Sequence, residues 1–503
     1  MAKRPTRVQN KGYGDAGASH RKRALKGFNA QSGSPREDID YNNFTLRQRA
    51  RMLYMAAPLA TSAIKTNRTN VIGSGLRLSA RIDREALGMT PEAAADWQRK
   101  TEKEFALWAE RHAACDALGL NDFYELQQVA FQAWILSGDV FCLFKSAKTT
   151  AHNPYALRLH LIEADRISTP REWATLYGQM TEGENKDNGN LIHDGVEVDK
   201  SGRVVAYHVC NHYPYELTKD ARVEWERVEA VGEVTGLPNI LHVMDAERPE
   251  QYRGVSYLAP VIEPLLQIRR YTETEITAAL IESCFAGFVK TQARPDEMPM
   301  NSAAPDDEME RSDPNDFSFG PGEFNVLKPG EDITFSDPKR PANGFAGFVR
   351  AVAEQVGAAL EVPADLLMKA FNASYSASRA AMLEAWKAFR MRRAWFEKDF
   401  CRPVYEAWLA EAVARGRIIA PGFFVDPAIR RAYCGSEWIG PSQGQLDPSK
   451  EIQAEILAVQ HGFSTHEQST ARLNGGNWQN NVDALKRENA ELGGAVLMEA
   501  EKA

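Results

Sequence analysis

Between residues 345 and 360 the apolar side chains Phe345, Phe348, Val349, Val352, Val356 and Leu360 recur at steps of three and four. That is the period of one helix face, so the segment predicts an amphipathic helix. The helix must end before Val362-Pro363, because the residue preceding proline is pushed out of the α region. Residues 364–375 break the pattern and carry Lys369, Asn372, Ser374 and Tyr375. The period resumes with Ala380, Met382, Leu383, Trp386 and Phe389. This second helix can be capped by either Ser376 or Ser378, accepting from free backbone N–H groups. Arg390, Arg392 and Arg393 lie past its middle, toward the negative end of its dipole. The stretch reads as two rods holding a short polar loop in a fixed place.

The same reading extends along the chain. Residues 45–63 are helical in pattern, with Leu46, Leu53, Ala56, Ala57 and Ala60. Gly73 and Gly75 lack the third glycine of a dinucleotide fingerprint, and Leu76, Arg77 and Leu78 continue as a strand, so a turn is expected there. Helices are predicted at 91–111 and 122–136, the second leading through Ser137-Gly138-Asp139 into an apolar strand at 140–144. Residues 157–244 are β-rich: 157–162 alternates, and 196–198 turns through Asp199-Lys-Ser-Gly202 into 204–212 as a hairpin. A long helix is predicted at 256–284, with Pro260 and Pro264 in its first turns and a stripe of Leu265, Ile268, Ile276, Leu280 and Cys284. Residues 287–291 form a short strand, and 323–327 with 333–335 form a hairpin. The second rod continues to 413 past Pro403, which should kink or break it. Pro421-Gly422 marks a turn. Three helices finish the chain at 450–460, 464–472 and 478–492, with Asp447, Ser449 and Thr465 as helix starts and little core of their own. These helices are expected to pack on a neighbour.

With 503 residues the chain exceeds the size of one core, so several subdomains are expected. A net charge of −8 argues against wrapping nucleic acid tightly but permits nucleic acid to slide past. Residues 1–30 depart from this balance, with eight Lys or Arg against one Asp. They read as a flexible basic arm, either a solvated tail or a contact for DNA or another acidic surface. No apolar run of about 18 residues predicts a membrane span. The N-terminus shows no secretory signal. Six scattered cysteines without a CxxC read as reduced thiols.

Candidate chemistry is sparse. His208, Cys210 and His212 share one strand face, but a zinc site needs a further ligand or acidic partner that the sequence nearby does not suggest. Residues 296–316 are acidic and proline-rich without the fixed spacing of a Ca²⁺ loop, so a solvated loop is expected. A phosphate loop, an H-E-x-x-H helix and a G-x-S-x-G elbow are all missing. The expectation is a non-enzyme without cofactor or metal.

Several short matches then fall in one order. They are Arg49-Ala-Arg, Asn67-Arg-Thr-Asn-Val-Ile-Gly-Ser-Gly-Leu-Arg-Leu, Asn121-Asp-Phe, Ser137-Gly-Asp-Val-Phe, Leu161-Ile-Glu-Ala-Asp-Arg-Ile, Asp194-Gly-Val-Glu-Val-Asp, Ile240-Leu-His-Val, Arg253-Gly-Val, Leu327-Lys-Pro-Gly-Glu, Tyr375-Ser and Asp447-Pro-Ser-Lys-Glu. The ordered set resembles the lambda-type portal protein family of tailed bacteriophages over about residues 45 to 490. The resemblance implies an α+β portal fold with a β-rich wing, two long stem helices, a small α/β clip between them and a helical crown. The implied parts are a basic arm at 1–44, wing at 45–250, first stem helix at 251–286, clip at 287–342 and second stem helix at 343–361. A tunnel loop at 362–377, a long kinked helix at 378–420 joining wing to crown, and a crown at 421–503 complete the chain.

The implied function is a virion ring, usually of twelve subunits, at one capsid vertex, made in the host bacterial cytoplasm. It passes double-stranded DNA during packaging and ejection. It docks the terminase large subunit, head-completion or adaptor proteins, and the major capsid and scaffold proteins, with no membrane involved. Lys369, Asn372, Ser374, Tyr375 and Arg390 are the expected DNA-channel residues. A packaging nuclease or ATPase and a monomeric head adaptor are the competing readings.

Overall fold

The computed structural model describes residues 13, 17–174, 182–214, 216, 222–283, 287–289, 324–326, 344–371, 374–444, 448–476 and 478–491. The basic arm up to residue 12, the acidic segment 296–316 and most of the expected clip lie outside them. Chain order begins with α1 (Tyr41–Ala56), α2 (Pro58–Val71), β1 (Arg77–Ala80), α3 (Pro91–Ala109), α4 (His112–Cys115) and α5 (Phe123–Ser137). The single helix expected at 45–63 is therefore two. Ala57 is extended before Pro58, which sits at the first position of α2, where its missing N–H costs least. Asp122 accepts from Glu125 N–H and Glu125 reaches back to Asp122 N–H, a capping box that fixes the start of α5.

The strands follow: β2 (Asp139–Ser146), β3 (Leu157–Glu163), β4 (Glu182–Glu184), β5 (Leu191–His193), β6 (Val196–Val198), β7 (Val204–Cys210), β8 (Trp225–Glu229) and β9 (Ile240–Met244). They form two antiparallel sheets, β3-β2-β9 and the meander β4-β5-β6-β7-β8. The expected β6–β7 hairpin is present, with Val196 opposite Tyr207. Phe141, Ile162, Ile167, Val196 and Val209 are buried in one cluster that joins the two sheets.

Next come α6 (Ile262–Ser283), β10 (Gly287–Val289), β11 (Phe324–Val326), α7 (Phe345–Ala359), α8 (Ala364–Met368), α9 (Tyr375–Phe396) and α10 (Arg402–Ala414). The long helix expected at 256–284 begins later, because Ala259–Val261 is a 3₁₀ turn that takes in Pro260, leaving Pro264 in the first turn of α6. At about 1.5 Å per residue, α6 spans about 33 Å rather than the expected length. β11 pairs with β10 in parallel, whereas a hairpin with residues 333–335 was expected; those residues lie outside the described ones. Pro403 does not break the second rod. Glu397–Cys401 is a π-turn in which Arg402 N–H reaches back five residues to Glu397 O, and the helix continues beyond it. One extra residue per turn accommodates a ring with no donor.

The chain closes with α11 (Pro427–Tyr433), β12 (Ser436–Ile439), α12 (Pro448–Gln460), α13 (His466–Asn474) and α14 (Trp478–Glu491). Strand β12 pairs antiparallel with β1, with Trp438 opposite Leu78. That pairing seats Trp438 against Phe105 of α3, whose ring also meets Trp408 of α10 edge-on at 5.0 Å and Tyr405 at 5.9 Å. This aromatic centre belongs to the larger core, built from α1–α11 with β2, β3, β9 and β12. Helix α12 buries none of its residues, and Thr465 and Gln468 form a capping box at α13. Among the described residues no helix is long and apolar enough to cross a membrane.

Candidate functional site

Helices α6 and α7 meet through an aromatic contact near the start of α7. In α7, Ala353, Val356 and Gly357 are buried, while Phe348 near its start is 50% exposed. Tyr271 of α6 packs against Phe345 and Phe348 of α7 at 5.6 and 4.9 Å. Beyond this contact Ile276 and Leu280 of α6 stand exposed.

The segment after α7 is less of a loop than the sequence suggests. Pro363 starts the short helix α8, whose Leu366 and Leu367 are buried. Two non-glycine residues in the left-handed region bracket it, Glu361 at φ 53° and Lys369 at φ 55°. Each such residue costs on the order of 1 kcal/mol, so packing must hold the segment in place. Helix α2 does so: Ser62 Oγ donates to Leu367 O at 2.5 Å, and Lys369 Nζ donates to Thr66 Oγ1 at 3.0 Å. The expected polar loop of 364–375 thus shrinks to 369–374. Ser374, not Ser376 or Ser378, caps α9 by accepting from Ala377 N–H at 3.4 Å. Tyr375 is the first residue of α9, and Asn372 lies outside the described residues.

The three arginines of α9 part company. Arg392 is buried; it donates to Asn67 Oδ1 at 2.9 Å and Glu361 Oε2 at 2.7 Å and lies over the Tyr257 ring. Arg393 donates to the carbonyls of Asn70, Val71 and Pro441, and burial lowers its guanidinium to about 10. Both therefore lock α9 onto the C-terminal end of α2 rather than facing solvent. Arg390 alone of the three is exposed. It borders a cleft of about 410 Å³ with Arg379, Met382, Leu383, Glu455 and Arg472.

A second constellation lies where α1 meets both sheets. Arg253 is fully buried and grips Asp139 through Nε at 2.6 Å and Nη2 at 3.2 Å. Its Nη1 reaches Asp194 at 2.6 Å and donates to Ile167 O, and Nη2 donates to Ala164 O. Arg47 bonds Asp165 at 3.2 Å and Asp194 at 2.6 Å, and Arg51 bonds Asp165 and Glu163. Burial alone would raise Asp139, but Arg253, His242 and Arg47 outweigh it and hold the carboxyl well below the usual range. The backbones cross in contact here. A Cβ on Gly254 would stand 1.9 Å from Gly138 O, and Gly138 itself needs φ +95°.

The family description "Phage portal protein, lambda family" matches residues 21–393. The chain belongs to the lambda family of phage portal proteins. It is 24% identical over 498 residues to portal protein B of Escherichia phage lambda, covering 94% of this chain and 89% of that one. It is 22% identical over 493 residues to the portal protein of Escherichia phage N15, with the same coverages. Among solved structures, a chain from the neck of a native gene transfer agent particle, computed with C12 symmetry, matches with TM-score 0.38 and 12% identity, covering 86% of this chain and 93% of that chain.

In this portal protein five of the short motifs that carried the resemblance meet in one place. Arg51, Asp139, Asp165, Asp194 and Arg253 come from five separate matches, and all five meet in the buried network. Their signal in the sequence was that each match carries at least one charged residue. Sequence reasoning also missed the partner of His208. Glu197, on the neighbouring strand β6, accepts from Arg227, Asn185, Asn188 and Asn190 and meets His208 Nε2 at 3.0 Å. Burial favours neutral Glu197, but the bonds from Arg227, Asn190, Asn188 and Asn185 prevail and hold it ionised, well below its usual range. His208 is thereby a structural partner of a loop-anchoring carboxylate, and among the described residues no group of three or more His, Cys, Asp or Glu is placed to hold a metal ion.

Proposed function

We propose that copies of this portal protein close into a ring whose axis carries double-stranded DNA during packaging and ejection. The observation that carries this reading is the helix pair α6–α7 ending in a short segment pinned at both sides. Beyond the Tyr271 contact, Ile276 of α6 stays exposed, as does Phe348 of α7. Such apolar faces suit cover by a neighbouring copy in a closed cyclic assembly. The ring has about a dozen subunits and sits at the capsid vertex of the virion. It docks the terminase large subunit, head-completion or adaptor proteins, and the capsid and scaffold proteins.

In this reading the wing is 45–250, the stem helices are 251–286 and 343–361, and the clip is 287–342. The tunnel loop, 362–377 in the sequence reading, is carried by its tip at 369–374. Because β12 pairs with β1, residues 421–444 go with the wing, and the crown narrows to the helices after Pro448. A net charge of −8 suits a conduit, since dense phosphate contacts would slow the passage of DNA. Lys369 and Arg390 supply weak, sequence-independent contacts, and Asn372, Ser374 and Tyr375 share the constriction. The part is structural rather than enzymatic.

Mass measurement on the purified protein tests the ring: a particle of about a dozen 56.1 kDa chains is expected, and a monomer at micromolar concentration defeats the proposal. Deleting residues 369–374 is expected to leave that mass unchanged while genome retention falls; full retention by the deletion mutant removes the loop from the channel. Separately, Lys369→Ala and Arg390→Ala should each lower the slope of log affinity for DNA against log salt by about one. An unchanged slope takes that residue out of phosphate contact.

A further inference from the structure

The buried network holds one carboxylate more than its cations can serve. Asp40 ends a π-turn, Arg36–Asp40, at the root of α1 and is 3% exposed. Its Oδ1 has no hydrogen-bond partner among the described residues, and neither polar atom of Asn43, one turn on, has one. The charges facing it are Asp194 beyond β5, Asp139 of β2, Arg47 of α1 and Arg253 before α6. Both arginines are already engaged, Arg253 with Asp139 and Asp194, Arg47 with Asp165 and Asp194. Arg51 is taken by Asp165 and Glu163. His242, beside Asp139, is kept neutral because burial lowers its imidazole. An ionised Asp40 would be an uncompensated buried anion beside two others.

The charges on its own turn point elsewhere. Asp38 pairs with Arg248 at 2.6 Å, Glu37 caps Ser34, and Arg36 pairs with Glu182. Arg248 also donates to Gly33 O, so residues 33–40 are fastened to the sheets by a few surface contacts around two buried side chains, Ile39 and Asp40. We propose that Asp40 is a pH-operated latch: as a neutral acid it seats residues 33–40 against the sheets, and when it ionises the segment detaches. This goes beyond the channel reading and does not depend on it. Burial, followed by the charge of Asp194, raises the Asp40 carboxyl to about 7. A detached Asp40 gives up its proton near 4, so the seated state loses stability as pH rises from about 4 to about 7 and stays at the lower level above it.

The test is amide hydrogen exchange on the full chain, comparing a peptide of 33–44 with one of 123–137. After correction for intrinsic rates, protection of 33–44 should fall about tenfold between pH 6 and pH 8, since opening releases close to one proton until the pH passes the seated value near 7 and none beyond it. The control peptide should change little. In Asp40→Asn the tenfold ratio should drop to about one, with protection at pH 8 above wild type. Should that variant fold poorly, Asp40→Ala serves equally, because removing the ionisable group must remove the pH dependence. Protection independent of pH in wild type, or a ratio near ten surviving in either variant, overturns the latch.

Discussion

Replacing Arg253 by leucine should lower the unfolding free energy by about 3–5 kcal/mol, the cost of leaving a buried ion without its partner. Leucine keeps part of the packing over Phe141 but supplies no donor. Asp139 would retain only Gly254 N–H at 3.1 Å and His242 at 3.3 Å against full burial. Asp194 would keep Arg47, but the carbonyls of Ala164, Ile167 and Asp194 would each lose a donor. Urea unfolding followed by both tryptophan fluorescence and circular dichroism measures the loss. The double variant Arg253→Leu/Asp139→Leu should cost clearly less than the two single changes added, because it removes the orphaned charge along with its partner. A loss below about 1 kcal/mol in the single variant would mean that the network is wetter or looser than its distances indicate.

Phe105→Ala carries an expected loss of similar size, about 3–5 kcal/mol, for a different reason. Its ring is 1% exposed and touches Trp108, Phe123, Tyr405, Trp408 and Trp438. Those neighbours come from its own helix α3 and from α5, α10 and β12, the last two about 300 residues later in the chain and held by the long helix and by β1–β12 pairing, so they cannot collapse together into the space. The lost transfer energy is then joined by the cost of a cavity. Thermal unfolding with a tryptophan readout should show a lower midpoint and a red-shifted native spectrum from wetted Trp408 and Trp438. Phe105→Leu, which fills most of the volume, should recover more than half of the loss. A leucine variant as weak as the alanine one would show that edge-on ring geometry, not volume, dominates there.

The arginines of α9 illustrate how far local pattern reaches. Helical period correctly placed Trp386 and Phe389 inward. It could not tell that Arg392 and Arg393 are turned onto α2, because their partners Asn67, Asn70 and Val71 lie more than 300 residues earlier. Pro403 shows the converse. Its chemistry was read correctly as unfit for an α-helix interior, yet packing of Phe400 and Cys401 in the core kept the helix continuous through a π-turn. Ser374, Ser376 and Ser378 are chemically equivalent caps, so local chemistry could not reject Ser376 and Ser378, and only the structure placed Ser374 in an extended backbone before the helix.

By itself the sequence determined what depends on neighbours within a turn or two. Capping pairs such as Asp122/Glu125 and Thr465/Gln468, the apolar/polar alternation in β3, and the apolar stripe of α7 are all short-range and carry their own signal. Its ordered motifs also fixed the family. Only the tertiary structure decided what those motifs do together. A buried charge is tolerable only when an opposite charge from elsewhere arrives beside it, and Arg253 finds Asp139 across 114 residues while Arg47 finds Asp194 across 147. No local pattern encodes such a meeting, because it exists only once both sheets and α1 have closed over it.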